Sequence, residues 1–439
     1  MAGENQCCRI YSRCSLCLIF GINRVKDKVG MQFTVLSNTL KRIAVIIVAS
    51  LLATTAYAAP TEKVLYTFTG GADGGSPSSG LISDTTGNLY GMTGGGGAHE
   101  LGTVFELQQS NGQWTEVVLH SFADDGVDGY SPLGGLVADK SGNLYGTTMF
   151  GGAQIFGIVF ELSPSSNGWT ETVLYNFSGG ADGGIPTNGG LVFDQEGNLY
   201  GATENFGAYG YGVVFKLSPS SGGGWTENVL HSFAETESDG GGPTSVVVDR
   251  KGNLYGTTTQ GGAYRFGTAF QLTPSSQGAW TETILHDFGN GLDGAHPVSG
   301  VIVAAGRLFG TTEYGGHYGL GAVYALTHAG NQVKETLLDN FTSINGDGFA
   351  PQSVVTFDEV GNLYSTTYGG GADEYGTVFE LVRSEKKQRL LYSFTGGSDG
   401  GYLTNGVILD GQGNLYGTTQ CGGSGQDCGG YGVVFEIVK

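Results

Sequence analysis

The sequence predicts an all-β fold: a seven-bladed β-propeller of four-stranded blades, closed by pairing of the N-terminal strand with the last blade. Three observations carry this. The stretch Asp194-Gln-Glu-Gly-Asn-Leu-Tyr-Gly201 recurs as Asp84–Gly91, Asp139–Gly146, Asp249–Gly256, Asp358–Ser365 and Asp410–Gly417, with a degenerate copy at Ala304-Ala-Gly-Arg-Leu-Phe-Gly310, about 55 residues apart. The composition, with 81 Gly, 11% aromatic and 14% charged residues, suits a turn-rich β protein and not disorder, which carries few aromatics. The two ends of the repeat array are complementary: one carries a strand without a blade, the other a blade without its last strand.

Taken in order, residues 1–30 read as an upstream extension, and Cys7, Cys8, Cys14 and Cys17 within it receive no role. Residues 31–58 read as a secretory signal. Lys41 and Arg42 give a charged start, Ile43 to Leu52 an apolar run too short for a comfortable span, and Ala56-Tyr57-Ala58 a cleavage site. The expected address is therefore secreted, periplasmic or cell-surface, with no stable membrane span after cleavage. Residues 61–439 are the propeller, which is expected to be a monomer.

The second blade shows the unit. Asp128-Gly-Tyr-Ser-Pro132 is a turn cluster, and Gly135–Asp139 a short apolar strand A. Asp139-Lys-Ser-Gly-Asn143 is a tight turn, because Asp bonds its own backbone two residues on and Gly supplies the positive φ. Leu144–Thr148 is strand B, Met149–Gly157 a Gly-rich loop, Ile158–Leu162 strand C, and Trp169–Phe177 strand D. Strands A and B are apolar runs, as sheets packed on both faces require. The blades fall near 73–122, 128–177, 182–233, 239–288, 293–341, 347–394, and 399–437 plus 61–68. The chain opens on Thr61-Glu-Lys-Val-Leu-Tyr-Thr-Phe68, a strand D with no blade before it. It reaches its last blade at Tyr431–Ile437, a strand C with no strand D after it. Joining them removes two exposed sheet edges.

The unit P-x-x-G-L-V-x-D-x-x-G-N-L-Y-G-T-T-x-x-G-G…G-x-V-F-E-L resembles the GloVer tandem repeat of the choice-of-anchor bacterial proteins, over residues 61–439. Its D-x-x-G-N-L-Y core is more loosely similar to NHL-type propeller repeats. The resemblance implies an exported protein and carries no activity. Many members bear a C-terminal anchoring segment; here Val438-Lys439 follows directly on a strand, so anchoring by that route is not expected. Blade five departs at Ala304, which replaces the turn Asp, and blade seven at Leu403, which replaces the loop Pro.

Function must sit on loops, and topology sorts them. D-to-A and B-to-C connections share one face, here the top; A-to-B and C-to-D turns share the other. The top carries the longer loops, so it is the expected functional face. It gathers one Asp per blade: Asp73, Asp128, Asp182, Asp239, Asp293, Asp347 and Asp399. It also gathers His99, Glu100, Tyr209, Tyr264, Arg265, His296, His317, Tyr318, Asp373, Glu374 and Asp427. The Asp ring reads either as a ligand-binding crown or as turn chemistry, since every member precedes a Gly. Calcium wants six to eight oxygens at roughly 2.3–2.6 Å, which sevenfold-related loops cannot share. Carboxylates about 10 Å apart repel by only about 0.4 kcal/mol in water, so the ring stands without a cation. No cofactor is predicted; calcium or another divalent metal is the alternative, with His296 and His317 of blade five as half of a metal or acid–base site.

His120, His231 and His286 share one strand-D position with Tyr66, Tyr175, Asp339 and Tyr392, an interchange that suits packing better than catalysis. Trp114, Trp169, Trp225 and Trp280 recur at the start of strand D, in phase with the repeat, and read as packing. Cys421 and Cys428 read as a local disulfide of an exported chain. No catalytic residues stand out. A net charge of −20 with thinly spread cations excludes nucleic acid as a partner. The expected function is a binding or scaffold module for an extracellular polymer, glycan or protein at the top face. The alternative is a metal-assisted hydrolase, lactonase or lyase on the same face.

Overall fold

The computed structural model describes residues 59–439 apart from 331, 343, 345, 425 and 426. The extension at 1–30 and the secretory signal expected at 31–58 lie outside the described residues.

Each repeat is organised by its turn Asp. Asp194 Oδ1 accepts the Glu196 and Asn198 N–H groups at 3.0 and 2.9 Å, and Oδ2 accepts Asn198 Nδ2 at 2.7 Å and the Tyr200 hydroxyl at 3.0 Å. Gly197, at φ 84°, completes the turn. Burial alone would raise the Asp194 carboxyl, but these hydrogen bonds hold it below the usual range. One carboxylate thus locks the turn and ties it to strand B, which explains why Asp, Gly, Asn and Tyr travel together. In blade five Ala304 pairs with Arg307 around Ala305 (φ 49°) and Gly306 (φ 74°), so backbone alone makes the turn.

The strands assemble into seven blades of antiparallel sheets. In blade four, Gly240–Val248, Leu254–Gly261, Thr268–Pro274 and Trp280–Asp287 pair in chain order. In the last blade Thr61–Thr67 pairs with Val433–Val438, with Thr61 opposite Val438 and Thr67 opposite Val433. The chain's first strand thereby completes its last blade. No helix among the described residues is long and apolar enough to cross a membrane.

Strand A differs from the single short strand expected. In blade one it is split into Gly75–Pro77 and Ile82–Ser83. The gap has a cause: Ser79 Oγ accepts the strand-B Met92 N–H at 2.8 Å, so a side chain replaces a ladder carbonyl. The freed backbone carbonyls serve the neighbouring blade. Thr257 Oγ1 donates to the Ser299 carbonyl, Thr311 to Ser353, Thr366 to Asn405, and Thr418 to Ser79, at 2.8 to 3.3 Å. The last of these joins blade seven to blade one.

Blades pack through one repeated aromatic pair. The Phe that ends each strand D meets, edge to face, the aromatic ring of strand C in the next blade. Phe68 meets Phe105, Phe122 meets Phe160, Phe177 meets Phe215, Phe233 meets Phe270, Phe288 meets Tyr324, Phe341 meets Phe379 and Phe394 meets Phe435, at 5.0 to 5.4 Å. These rings are almost wholly buried, and each pair adds about 0.5–1.5 kcal/mol beyond its buried area. At the opposite end of the blades, Trp114 packs on Tyr416, Trp225 on Tyr145 and Trp280 on Tyr200. The Trp series is interblade packing, as its repeat phase suggests.

Candidate functional site

The two classes of top loop are bonded together. Gly152 N–H donates to the Asp128 carbonyl at 2.7 Å and Gly262 N–H to that of Asp239 at 2.9 Å, joining each B-to-C loop to its own D-to-A loop. A second backbone bond crosses the junctions between blades. The residue before the loop Pro, in a left-handed conformation, donates to a B-to-C carbonyl of the preceding blade: Ser131 to Leu101 at 3.0 Å, Ile185 to Phe156 at 2.9 Å, His296 to Phe266 at 2.9 Å. The top face is therefore a continuous scaffold.

The Asp ring serves these loops. Asp73 Oδ2 accepts the Tyr66 hydroxyl at 3.0 Å and Thr69 N–H at 2.8 Å, both within its own D-to-A connection. Asp182 and Asp399 repeat this with Tyr175 and Tyr392. In three blades His takes the place of Tyr: His120 contacts Asp128 at 3.0 Å, His231 contacts Asp239 at 3.2 Å and His286 contacts Asp293 at 2.9 Å through Nε2. Tyr and His interchange because either places a donor at the same reach from the same carboxylate. Asp347 instead accepts Thr342 N–H at 2.9 Å.

A third residue joins from the next blade, a Glu near the start of strand D that follows Trp-Thr in four blades and Val333-Lys334 in blade five. Asp128 meets Glu171, Asp239 meets Glu282 and Asp293 meets Glu335, with ligand atoms of each His–Asp–Glu group within 4.8 Å. The same phase sets Glu116 beside Asp73, Glu227 beside Asp182 and Glu62 beside Asp399, each pair electrostatically coupled. In all six Glu residues Oε1 is buried without a hydrogen-bond partner. Burial first, and the neighbouring Asp second, push Glu62, Glu116 and Glu227 up to about 7. Burial also carries Glu282 to about 7, with His231 pulling the other way. Glu171 and Glu335 are raised for the same reasons. For His120, burial would lower its affinity for a proton; the hydrogen bond to Asp128 and the nearby carboxylates raise it. Each of these six junctions thus sets a buried Glu, its affinity for a proton raised, against the ring Asp.

These residues can also be weighed as metal ligands. Three His–Asp–Glu groups have the right donor atoms. Against this, every His already hydrogen-bonds its Asp directly, and the equivalent position is a neutral Tyr in three other blades. A junction built around Tyr works by hydrogen bonding. His296 and His317, the expected metal half-site, belong to none of the three groups. The His296 ring lies between those of Phe266 and Tyr314, at 5.9 and 5.6 Å. His317 packs on Tyr318, and its N–H donates to Asn340 Oδ1 at 3.0 Å. Cys421 and Cys428 are bonded, with Cα atoms 5.2 Å apart.

The top face has another feature that the repeat did not announce. Among the described residues, every strongly exposed aromatic side chain is in a B-to-C loop: Tyr209, Tyr211, Tyr264, Phe266, Tyr314, Tyr318 and Tyr431. Tyr209 and Tyr318 are 64% and 61% exposed. Further rings associate across blade boundaries, Phe156 with Phe206 at 4.8 Å and Tyr402 with Tyr368 at 4.9 Å. Sequence reading named Tyr209, Tyr264 and Tyr318 but weighted the Asp ring more heavily. The interblade Glu went unassigned, although its place after Trp-Thr in four blades was the available signal.

Comparison with known proteins places this architecture. Among solved structures, the extracellular domain of a candidate hybrid two-component system from B. thetaiotaomicron matches with a TM-score of 0.51 and 12% identity, over 86% of this chain and 41% of that one. The chain therefore spans less than half the length of that relative. A candidate 6-phosphogluconolactonase from Bacteroides uniformis matches with a TM-score of 0.48 and 12% identity, over 77% of this chain and 88% of that one. A candidate oxidoreductase (glucose dehydrogenase) from Thermus thermophilus matches with a TM-score of 0.41 and 14% identity, over 86% of this chain and all of that one. No curated protein matches the sequence. Residues 52–192, 166–347 and 278–439 each match the Gloeobacter/Verrucomicrobia repeat, and together they span the propeller. The chain belongs to the Gloeobacter/Verrucomicrobia repeat family.

Proposed function

We propose that this protein is an exported, non-catalytic binding module whose top face holds a neutral extracellular polysaccharide. The observation that carries the reading is the confinement of exposed aromatic rings to the B-to-C loops. Large apolar side chains exposed together mark interaction surfaces, and Tyr offers a flat stacking face with a hydrogen-bonding edge. A sugar ring, with one apolar face and polar rims, matches that chemistry. The net charge of −20 disfavours an acidic polymer on this face. The Asp ring supports the same role indirectly, by fixing the loops that present the rings. Repetition of the junctions in blade after blade also supports a scaffold, since catalysis calls for unlike groups converging on one point.

Affinity electrophoresis through gels containing β-glucan, xyloglucan or galactomannan tests this. Wild type should be retarded by at least one, and Tyr209→Ala/Tyr264→Ala/Tyr318→Ala should lose the retardation at an unchanged melting temperature. Equal mobility of the two proteins on every polysaccharide would overturn it.

A further inference from the structure

We infer that the groove between blades three and four on the opposite face is a binding site for a short acidic saccharide, such as a uronate oligomer. The groove has a volume of about 610 Å³ and lies between the A-to-B turns of the two blades. Its cations are Lys216, Arg250 and Lys251, and its apolar wall includes Phe193, Val248 and Trp280.

The charge is out of place in the repeat. At the position of Lys216, strand C carries Glu106, Glu161, Glu380 and Glu436 in four other blades, with Gln271 and Ala325 in the remaining two. In blades one and six that Glu is held by its blade's Tyr, as Tyr90 donates to Glu106 at 2.9 Å and Tyr364 to Glu380 at 2.7 Å. In blade three the Tyr200 hydroxyl keeps the bond to its turn Asp194, as Tyr90 and Tyr364 do to Asp84 and Asp358, but has no strand-C carboxylate to meet, and Lys216 Nζ lies 5.5 Å from the Tyr200 ring centroid. The A-to-B turn of blade four is likewise the one with two adjacent cations, Arg250-Lys251, where blade one has Thr85-Thr86 and blade three Gln195-Glu196. Two independent departures from the repeat thus meet in one groove of an otherwise acidic protein.

Three carboxylates, Asp194, Glu196 and Asp249, line the same groove, so selectivity rests on which groups have hydrogen-bonding capacity to spare rather than on net charge. Asp194 and Asp249 each accept hydrogen bonds from their own turn, including the side chains of Asn198 and Asn253 and the hydroxyls of Tyr200 and Tyr255. The oxygens of Asp194 and Asp249 are committed, Glu196 is exposed to solvent at the turn, and the three cations carry unused donors. Lys216 bonds no carboxylate among the described residues; Arg250 and Lys251 are exposed on the turn. Trp280, half-buried and edge-on to Tyr200 at 6.4 Å, supplies an aromatic wall beside them. Cations flanking an aromatic ring select a ligand that is both anionic and ring-bearing. This site is independent of the aromatic top face.

Calorimetric titration of the secreted protein with a galacturonate trimer tests the inference, with maltotriose as neutral control and inorganic sulfate as simple anion. The acidic trimer should bind, more weakly as salt rises, and the other two should not. Lys216→Gln/Arg250→Thr/Lys251→Thr installs residues that other blades already carry and should weaken the trimer by about tenfold or more. If that variant melts lower than wild type, Lys216→Gln alone should still weaken it. The top-face Tyr triple variant should bind the trimer as wild type does, which separates this site from the polysaccharide surface. Absence of trimer binding, equal binding of maltotriose or of sulfate, or full affinity in the folded cation variants would each overturn the assignment.

Discussion

Gln388 Nε2 donates to Asp347 Oδ1 at 3.0 Å, at the one junction where strand D carries Asp339 in place of Tyr or His. Elsewhere the position of Gln388 is Glu. With Asp339 and Asp347 already present, a third carboxyl would lack both a donor and a countercharge, and the amide removes the conflict. Asp339 is itself pushed up to about 6, chiefly by burial. The pairing supplies an N–H donor to the ring Asp where strand D offers neither Tyr nor His.

Replacement of Glu by Gln elsewhere should reproduce that solution. Glu116→Gln is expected to raise the melting temperature at pH 8, where the wild-type Glu must ionise in a buried site, and to change little at pH 5. Gln388→Glu should do the reverse. Differential scanning calorimetry at the two pH values reads both. A Glu116→Gln variant less stable at pH 8 than wild type contradicts the raised proton affinity of Glu116.

The whole protein should be most stable in mild acid. Glu62, Glu116, Glu227 and Glu282 titrate near 7 in the fold against an ordinary 4.5. A raised folded value means stability that is complete below 4.5 and lost as pH rises through about 7. His120 and His231, raised from 6.5, act in the same direction at higher pH. The turn carboxylates Asp84, Asp139, Asp194, Asp249 and Asp358 are held below 3.8 and lose their contribution as pH falls through that range. Thermal melts should therefore peak between about pH 4 and 6 and decline toward pH 8. A flat profile from pH 5 to 8 would argue against protonated junctions.

Interblade packing should dominate stability. Phe233→Ala removes a wholly buried ring from its edge-to-face contact with Phe270 and should cost about 3–5 kcal/mol. Gly267→Ala should also be severe. Gly267 has φ 95°, its carbonyl accepts Phe288 N–H at 3.0 Å, and a Cβ there would run into the Thr258 carbonyl oxygen. Chemical denaturation of both variants measures the losses; a cost under about 1 kcal/mol for either is inconsistent with this packing.

Removal of residues 61–68 should be worse than any point change. It strips the partner from Val433–Val438 and takes away the buried Leu65 and Phe68. At about 1.5–3 kcal/mol for each large apolar side chain, plus an exposed strand edge, the loss approaches a domain's net stability. Size-exclusion chromatography should show aggregate. A monomer melting at the wild-type temperature would show that strand pairing is dispensable.

Divalent metal should contribute nothing to stability. In each His–Asp–Glu group the His already bonds its Asp directly, so EDTA should leave the melting temperature of wild type and of His286→Ala unchanged relative to untreated samples. A bound ion at a hundredfold excess over its Kd would add about 2.7 kcal/mol. A chelator-induced drop in wild type that is absent in His286→Ala would establish a metal centre at that junction.

The sequence by itself determined the number of blades, the order of their strands and the chemistry of the turns. Those depend on local backbone preference, and Asp194, Gly197, Asn198 and Tyr200 act within one turn. It also exposed the complementary ends, because a repeat interrupted at residue 61 and again at residue 437 needs only counting. Strand A was less legible, since its break depends on Ser79 reaching the backbone of strand B. The junctions were decided by tertiary structure alone. Glu171 meets Asp128 because the ring sets the start of one strand D against the end of another, and nothing local to either residue encodes that meeting. The same holds for the groove of Lys216, Arg250 and Lys251. Each departure from the repeat is visible in sequence, but their convergence is a property of how blades three and four face each other.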